Sequence, residues 1–110
     1  MKLIRASEDK FADNNVEKEF YKLGKNDEIR KYIERAIKDI QLNAFCGVQI
    51  PKRLIPAEYL HKYGVDNLWK YDLPDGWRLM YSITTPSKVE IISIILEWFD
   101  HKDYERRFSY

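Results

Sequence analysis

The sequence predicts an α+β fold: an N-terminal helical hairpin packed on a twisted, mainly antiparallel sheet of three to four strands, with a short C-terminal helix. Three observations carry this expectation. Apolar residues recur at spacings of three and four between residues 16 and 40. The period changes to two from residue 68 onward. A β-branched run, VEIISIILEW at residues 89–98, then closes the pattern.

In chain order, Leu3 and Ile4 are expected to begin a short edge strand. NNVEKEFYKL, residues 14–23, sets Val16, Phe20 and Leu23 on one helical face, and Gly24 and Asn26 break it. Asp27 suits the N-cap of a second helix, because its carboxylate can accept from an unpaired backbone N–H of the first turn. In that helix Ile29, Ile33, Ala36, Ile37 and Ile40 oppose Lys31, Glu34, Arg35 and Lys38. The short break between the two helices implies an antiparallel hairpin over residues 14–43. FCGVQIPKRLIPAEY, residues 45–59, holds Gly47, Pro51 and Pro56 and reads as an irregular crossover, with a turn of helix ahead of Gly64.

LWKYDL (68–73) and WRLMYSI (77–83) alternate on either side of the turn PDG at 74–76. Trp77, Leu79, Tyr81 and Ile83 fall on one face, and Arg78, Met80 and Ser82 on the other. TTPSK at 84–88 is a second turn. The length and apolarity of the last strand give it a central place in the sheet. Asp100 is expected to cap a short final helix, with Asp103 in position to complete a capping box. The helical hairpin and the sheet each have an apolar face to bury, and packing the hairpin on one face of the sheet buries both.

With 110 residues the chain suits one domain with a thin core, which leaves a homodimer open. Formal net charge is +1, and the halves are balanced: ten Lys or Arg against nine Asp or Glu in residues 1–45, nine against nine in the rest. Bulk charge therefore gives no argument for nucleic acid, and any such site must be a local patch. Cys46 is the single cysteine, so no intrachain disulfide and no cysteine-based metal site is expected. The start of the chain turns polar after Ile4, and the run Ile91–Leu96 is too short to span a bilayer. The expectation is a cytoplasmic protein without a membrane partner.

His61 and His101 belong to no spaced ligand set, and Gly-rich phosphate loops and GxSxG are absent from the sequence. Glu97 and Asp100 can be paired on paper as in a glycosidase, but any two carboxylates can. What stands out is a basic and aromatic set. Alternation puts Lys70 and Arg78 on the same face of neighbouring strands. His101, Lys102, Arg106 and Arg107 follow the last strand, with Tyr104 and Tyr110 among them. Arg and Lys hold phosphate and stabilise developing charge, His exchanges protons near neutral pH, and Tyr stacks on a base or shuttles a proton. Those are the parts needed to cleave RNA without a metal or other cofactor.

Each also has a purely structural reading. Asp72 or Glu90 can neutralise Arg78, and His101 can be a surface residue of a helix start. Tyr104 and Phe108, four apart, can anchor that helix to the sheet. Lys102, Arg106 and Arg107 can solvate it, and Trp69, Trp77 and Trp98 can be core or interface residues.

NLWKYDLPDGWRLMYSI followed by VEIISIILEWFDHKDYERRF resembles the RelE/ParE toxin superfamily. It combines an R-x-x-Y strand after a turn with an apolar strand closing on H-K-x-x; the helical hairpin fits as well, so the resemblance covers most of the chain, as a single RelE-like domain over 1–110. It implies a type II toxin–antitoxin system toxin, an mRNA interferase that cuts messenger RNA at the ribosome and is neutralised by a cognate antitoxin. Systems of this kind act in plasmid stabilization. Arg78 matches the strand arginine placed near the scissile phosphate, His101 and Lys102 the basic positions after the last core strand, and Tyr104 the aromatic hydroxyl that follows. Lys70 is a looser match. The expected catalytic residues are Arg78, His101 and Tyr104; Lys70, Lys102, Arg106 and Tyr110 are expected to bind substrate. The resemblance also leaves open a non-catalytic gyrase inhibitor of the ParE type, or an inactive homodimeric relative. The interval from His101 to Tyr104 is shorter than in RelE itself, and the chain lacks the strongly basic balance of ribosome-directed members. All of this requires the Arg78 guanidinium and the His101 imidazole to open onto the same exposed pocket, within a phosphate's reach of each other.

Overall fold

The computed structural model describes residues 5–108. Its strands, β1 Glu8–Phe11, β2 Val48–Gln49, β3 Trp69–Asp72, β4 Arg78–Thr84 and β5 Ile92–Phe99, form one sheet in the order β1-β5-β4-β3-β2. β1 runs parallel to β5, and the other neighbours are antiparallel. The helices are α1 Asn14–Lys22, α2 Glu28–Leu42, α3 Ala57–Tyr63 and α4 His101–Arg107. The fold class is α+β, with the N-terminal helices and the C-terminal helix as expected, and β5 is an interior strand beside the central β4.

The capping residues explain where the helices begin. Asp13 accepts from Val16 N–H at 2.9 Å, Asp27 from Ile29 N–H at 2.8 Å and Asp100 from Asp103 N–H at 2.9 Å. At the PDG turn, Asp75 and Gly76 both take positive φ, 59° and 79°, and the Leu73 N–H donates to Trp77 O at 2.8 Å to close the hairpin.

Four features differ from the expectation. The sheet has five strands, not three or four. β1 lies at Glu8–Phe11, whereas Leu3 and Ile4 fall outside the described residues. β2 is a two-residue strand inside the segment read as irregular crossover. Finally, helices cover both faces of the sheet, not one. Phe20, Ile33, Ala36 and Ile40 from α1 and α2 pack with Leu79, Tyr81 and Ile95. Tyr59 of α3 and Phe108 at the end of α4 pack with Met80, Leu96 and Phe99 on the other side.

A bulge in β5 sets which residues face which layer. Met80 pairs with Glu97 but Tyr81 with Ile95, so Leu96 is the extra residue. The alternation therefore shifts there. Ile94 and Leu96 face α3 and α4, and so do Glu97 and Phe99 beyond the bulge, while Trp98 turns to Phe20 of α1.

Two buried polar contacts tie the layers together. Tyr81 Oη donates to Ala44 O at 2.7 Å and accepts from Gly47 N–H at 3.0 Å, fastening the segment after α2 to the sheet. A Cβ on Gly47 would lie 2.6 Å from Lys70 O and 2.7 Å from Tyr81 Oη, so only glycine lets the chain pass this close. At the other edge, Ser7 Oγ lies 3.0 Å from both Asp9 Oδ1 and Ile40 O, and 2.9 Å from Ser93 Oγ. The Ser7 hydroxyl has one proton for two acceptors. A proton on Asp9 relieves that shortage, and burial, opposed in part by the Ser7 hydrogen bond, pushes the Asp9 carboxyl up to about 7.

Tyr81→Phe is expected to cost about 1–2 kcal/mol in denaturant unfolding, because it leaves Ala44 O without its donor. For Asp9 the folded-state value lies above the unfolded one, so its contribution to stability is whole below about pH 4 and is lost as pH rises through about 7. Asp9→Asn should therefore gain on the wild-type protein as pH rises across that window and keep the gain above it, as read from urea midpoints at a series of pH values.

Candidate functional site

At the PDG end of the sheet, β3, β4 and the start of α4 converge on the α3/α4 side. Asp72 is the cross-strand partner of Arg78, and Lys70 that of Met80, so Lys70, Asp72 and Arg78 share one face, as alternation predicts. Arg78 in turn pairs with Phe99 of β5. The chain then turns at Asp100 into α4, which carries Tyr104 back over the strands.

Lys70 Nζ stands 5.4 Å and the Arg78 guanidinium carbon 5.2 Å from the centre of the Tyr104 ring, two cations on one aromatic side chain. Phe108 stacks on the same ring at 4.7 Å, and Phe99 meets it edge-on at 6.1 Å. Tyr104 and Phe108 thus anchor α4, and the tyrosine ring also fixes both cations. Arg78 Nη1 donates to Gly76 O at 2.8 Å.

His101 joins through the turn. A Cβ on Gly76 would lie 3.3 Å from His101 Cβ, so the helix start rests against the residue whose carbonyl holds Arg78. The imidazole is exposed, with Nε2 2.9 Å from Glu105 Oε1 one helical turn on. The start of α4 and Arg78 therefore meet through Gly76 at one end of the sheet, which does not by itself bring the imidazole within a phosphate's reach of the guanidinium. The two side chains also differ in access: that of Arg78 is 18% exposed and that of His101 57%.

The cations are not bare. Asp72 Oδ1 is 3.0 Å from Arg78 Nε and 3.4 Å from Lys70 Nζ. The structural reading that named Asp72 as a partner of Arg78 holds. The contact at Nε is one of charge alone, since the buried Nε makes no aligned hydrogen bond.

The remaining expected residues are less concentrated. Lys102 is exposed beside His101. Arg106 is exposed and pairs with Asp103 at 3.4 Å. Tyr110 lies outside the described residues. Arg107 is drawn into the structure instead, 3.2 Å from Glu97 and 3.1 Å from Glu58, linking α4 to β5 and α3. That occupies Glu97, and Asp100 caps α4, so the two do not form a catalytic carboxylate pair. Sequence reasoning missed the role of Glu97 because strict alternation, without the bulge, turns it toward α1. Trp69 stacks on Tyr81 at 6.1 Å and Trp98 meets Phe20 edge-on at 6.4 Å; both belong to the α1/α2 core.

Two other polar groups offer little chemistry. Burial and then the nearby Asp39 raise the Cys46 thiol above its ordinary value, which disfavours the thiolate. Burial and the hydrogen bond to Asp39 push Tyr71 up to about 12. Among the described residues no three His, Cys, Asp or Glu side chains form a metal-holding group, and no helix is long and apolar enough to cross a membrane.

Arg107→Gln is expected to cost about 2 kcal/mol in chemical denaturation, since it strands the poorly exposed Glu97. Arg106→Gln should stay within about 0.5 kcal/mol of the wild type. No protein-family model, curated protein or solved structure matches the chain.

Proposed function

We propose that the protein is a RelE-like toxin: a metal-independent endoribonuclease that cuts messenger RNA at the ribosome and is held inactive by a cognate antitoxin. The observation that carries this reading is the convergence of Lys70 and Arg78 on the Tyr104 ring with His101 against the adjoining turn. Two held cations at the end of the sheet where α4 starts with an exposed imidazole suit transfer at a phosphodiester.

In this reading His101 takes the proton of the ribose 2′-hydroxyl, whose oxygen attacks the adjacent phosphorus. The 5′ oxygen leaves with a proton from an acid, giving a cyclic phosphate and a free hydroxyl. The Arg78 guanidinium stabilises the charge of the phosphorane, and Lys70, Lys102 and Arg106 hold backbone phosphates. Tyr104 is engaged by Phe108, Phe99 and both cations, so its part is to position Arg78 and Lys70, with no open ring face required for a base. Glu105 holds Nε2 of His101, which favours Nδ1 as the atom facing substrate.

The neutralising position of Asp72 favours a second reading, a ParE-like inhibitor of gyrase that binds without catalysis.

Mapping RNA ends in cells expressing the protein separates the two. The nuclease reading expects new cuts at the ribosomal A site, lost on co-expression of the antitoxin from the neighbouring gene. Arg78→Ala should lower cutting by about 100-fold or more while the protein stays folded. Unchanged cutting by that variant removes Arg78 from the mechanism, and growth arrest by His101→Ala without new RNA ends supports the inhibitor.

A further inference from the structure

We infer that Asp72 occupies the phosphate position of the Lys70–Arg78 pair in the free protein, and that a nucleic-acid chain binds by displacing it. This rests on reading that pair as a phosphate site. It adds a built-in competitor, one that selects polyanions over single phosphates.

Three observations point this way. First, one carboxylate oxygen serves both cations, at 3.0 Å and 3.4 Å, which is how a phosphate oxygen would bridge them. Second, mobility is divided unequally. The side chains of Lys70 and Arg78 are 19% and 18% exposed and are held by the Tyr104 ring and, for Arg78, by Gly76 O. The Asp72 side chain is 57% exposed, three times as much as either cation. The cations are fixed and the anion can swing out into water at little cost. Third, the carboxylate balances charge without satisfying geometry. Arg78 Nε is shut off from solvent, yet makes no aligned hydrogen bond to the oxygen 3.0 Å away. A phosphodiester has the same single charge and two free oxygens that can be set in line with the guanidinium fork.

Exchanging one monoanion for another at this position gains little net charge attraction. A lone phosphate therefore competes poorly with Asp72. An RNA chain brings further phosphates to Lys102 and Arg106 and so can drive the exchange. Counterion release is also reduced, because the freed carboxylate regains a cation from solution. Removing the carboxylate should then strengthen binding and steepen its salt dependence.

The test is fluorescence anisotropy with a labelled single-stranded 2′-O-methyl oligoribonucleotide, which binds but cannot be cut, over a range of salt concentrations. Asp72→Asn is expected to bind about fivefold to tenfold tighter. Its slope of log affinity against log salt should be steeper by about 0.7, one extra counterion on a single strand. Adding Arg78→Ala to Asp72→Asn should abolish the gain. Asp72→Ser gives an independent variant if the asparagine protein folds poorly by circular dichroism. A scaffolding role for Asp72 expects the opposite sign, weaker binding as Arg78 loses its alignment. Folded Asp72→Asn and Asp72→Ser proteins that bind no tighter than wild type overturn the inference. Tighter binding by both variants, with no RNA cutting by the wild type in cells, upholds the inference and rejects the nuclease. Cutting by the wild type with no gain in either variant does the reverse.

Discussion

The pairing of Arg78 with Phe99 is the constraint on which the site depends. It exists because β5 carries one residue more than β4 at the Met80–Tyr81 step. The bulge switches the parity of β5, so that Glu97 and Phe99 turn toward α4. Phe99 then meets the Tyr104 ring, and Glu97 meets Arg107. Those two contacts fix the angle at which α4 leaves the sheet, and that angle brings Tyr104 beside Lys70 and Arg78. A sheet without the bulge would turn Glu97 into the apolar layer of α1 and α2. There, burial without a partner opposes folding.

Local signals carried much of this into the sequence. The spacing of Ile29, Ile33, Ala36 and Ile40 marks α2, and aspartates mark the starts of α2 and α4, because both are governed by neighbours a turn away. The shared face of Lys70 and Arg78 follows from alternation across a short turn. What stayed hidden depends on distant partners. Glu8–Phe11, read alone, is a polar stretch, and only the parallel pairing with β5 makes it a strand. The second helical layer was legible in principle. An apolar run such as Ile91–Leu96 with no alternation needs cover on both faces, and Met80 on the supposed polar face of β4 is fully buried. The bulge left no local mark, since Leu96 is as apolar as its neighbours.

Of the expected site residues, those on strands were the better placed. Arg78 and Lys70 are set by register, which alternation reads directly. Tyr104 depends on the phase of α4, and that is set by the Asp100 cap and the Phe99 contact. Lys102 and Arg106 are exposed on the same short helix, and Arg106 pairs with Asp103 there. Electrostatics also escaped simple counting. A nearly neutral chain holds two cations about 5 Å from one ring, but it also supplies an anion between them. Net charge over the molecule says nothing about that local balance.

The parallel pairing of β1 with β5 has a consequence for synthesis. Ser7 and Ser93, joined across these strands, are 86 positions apart. A ribosome makes β1 well before its partner, so the strand waits through the synthesis of everything between them with its backbone groups unmatched. Closing so long a loop is slow relative to forming the α1–α2 hairpin. The nascent chain therefore has a helical hairpin long before it has a finished sheet. During that interval the charged Glu8, Asp9 and Lys10 guard the waiting edge against pairing with other chains.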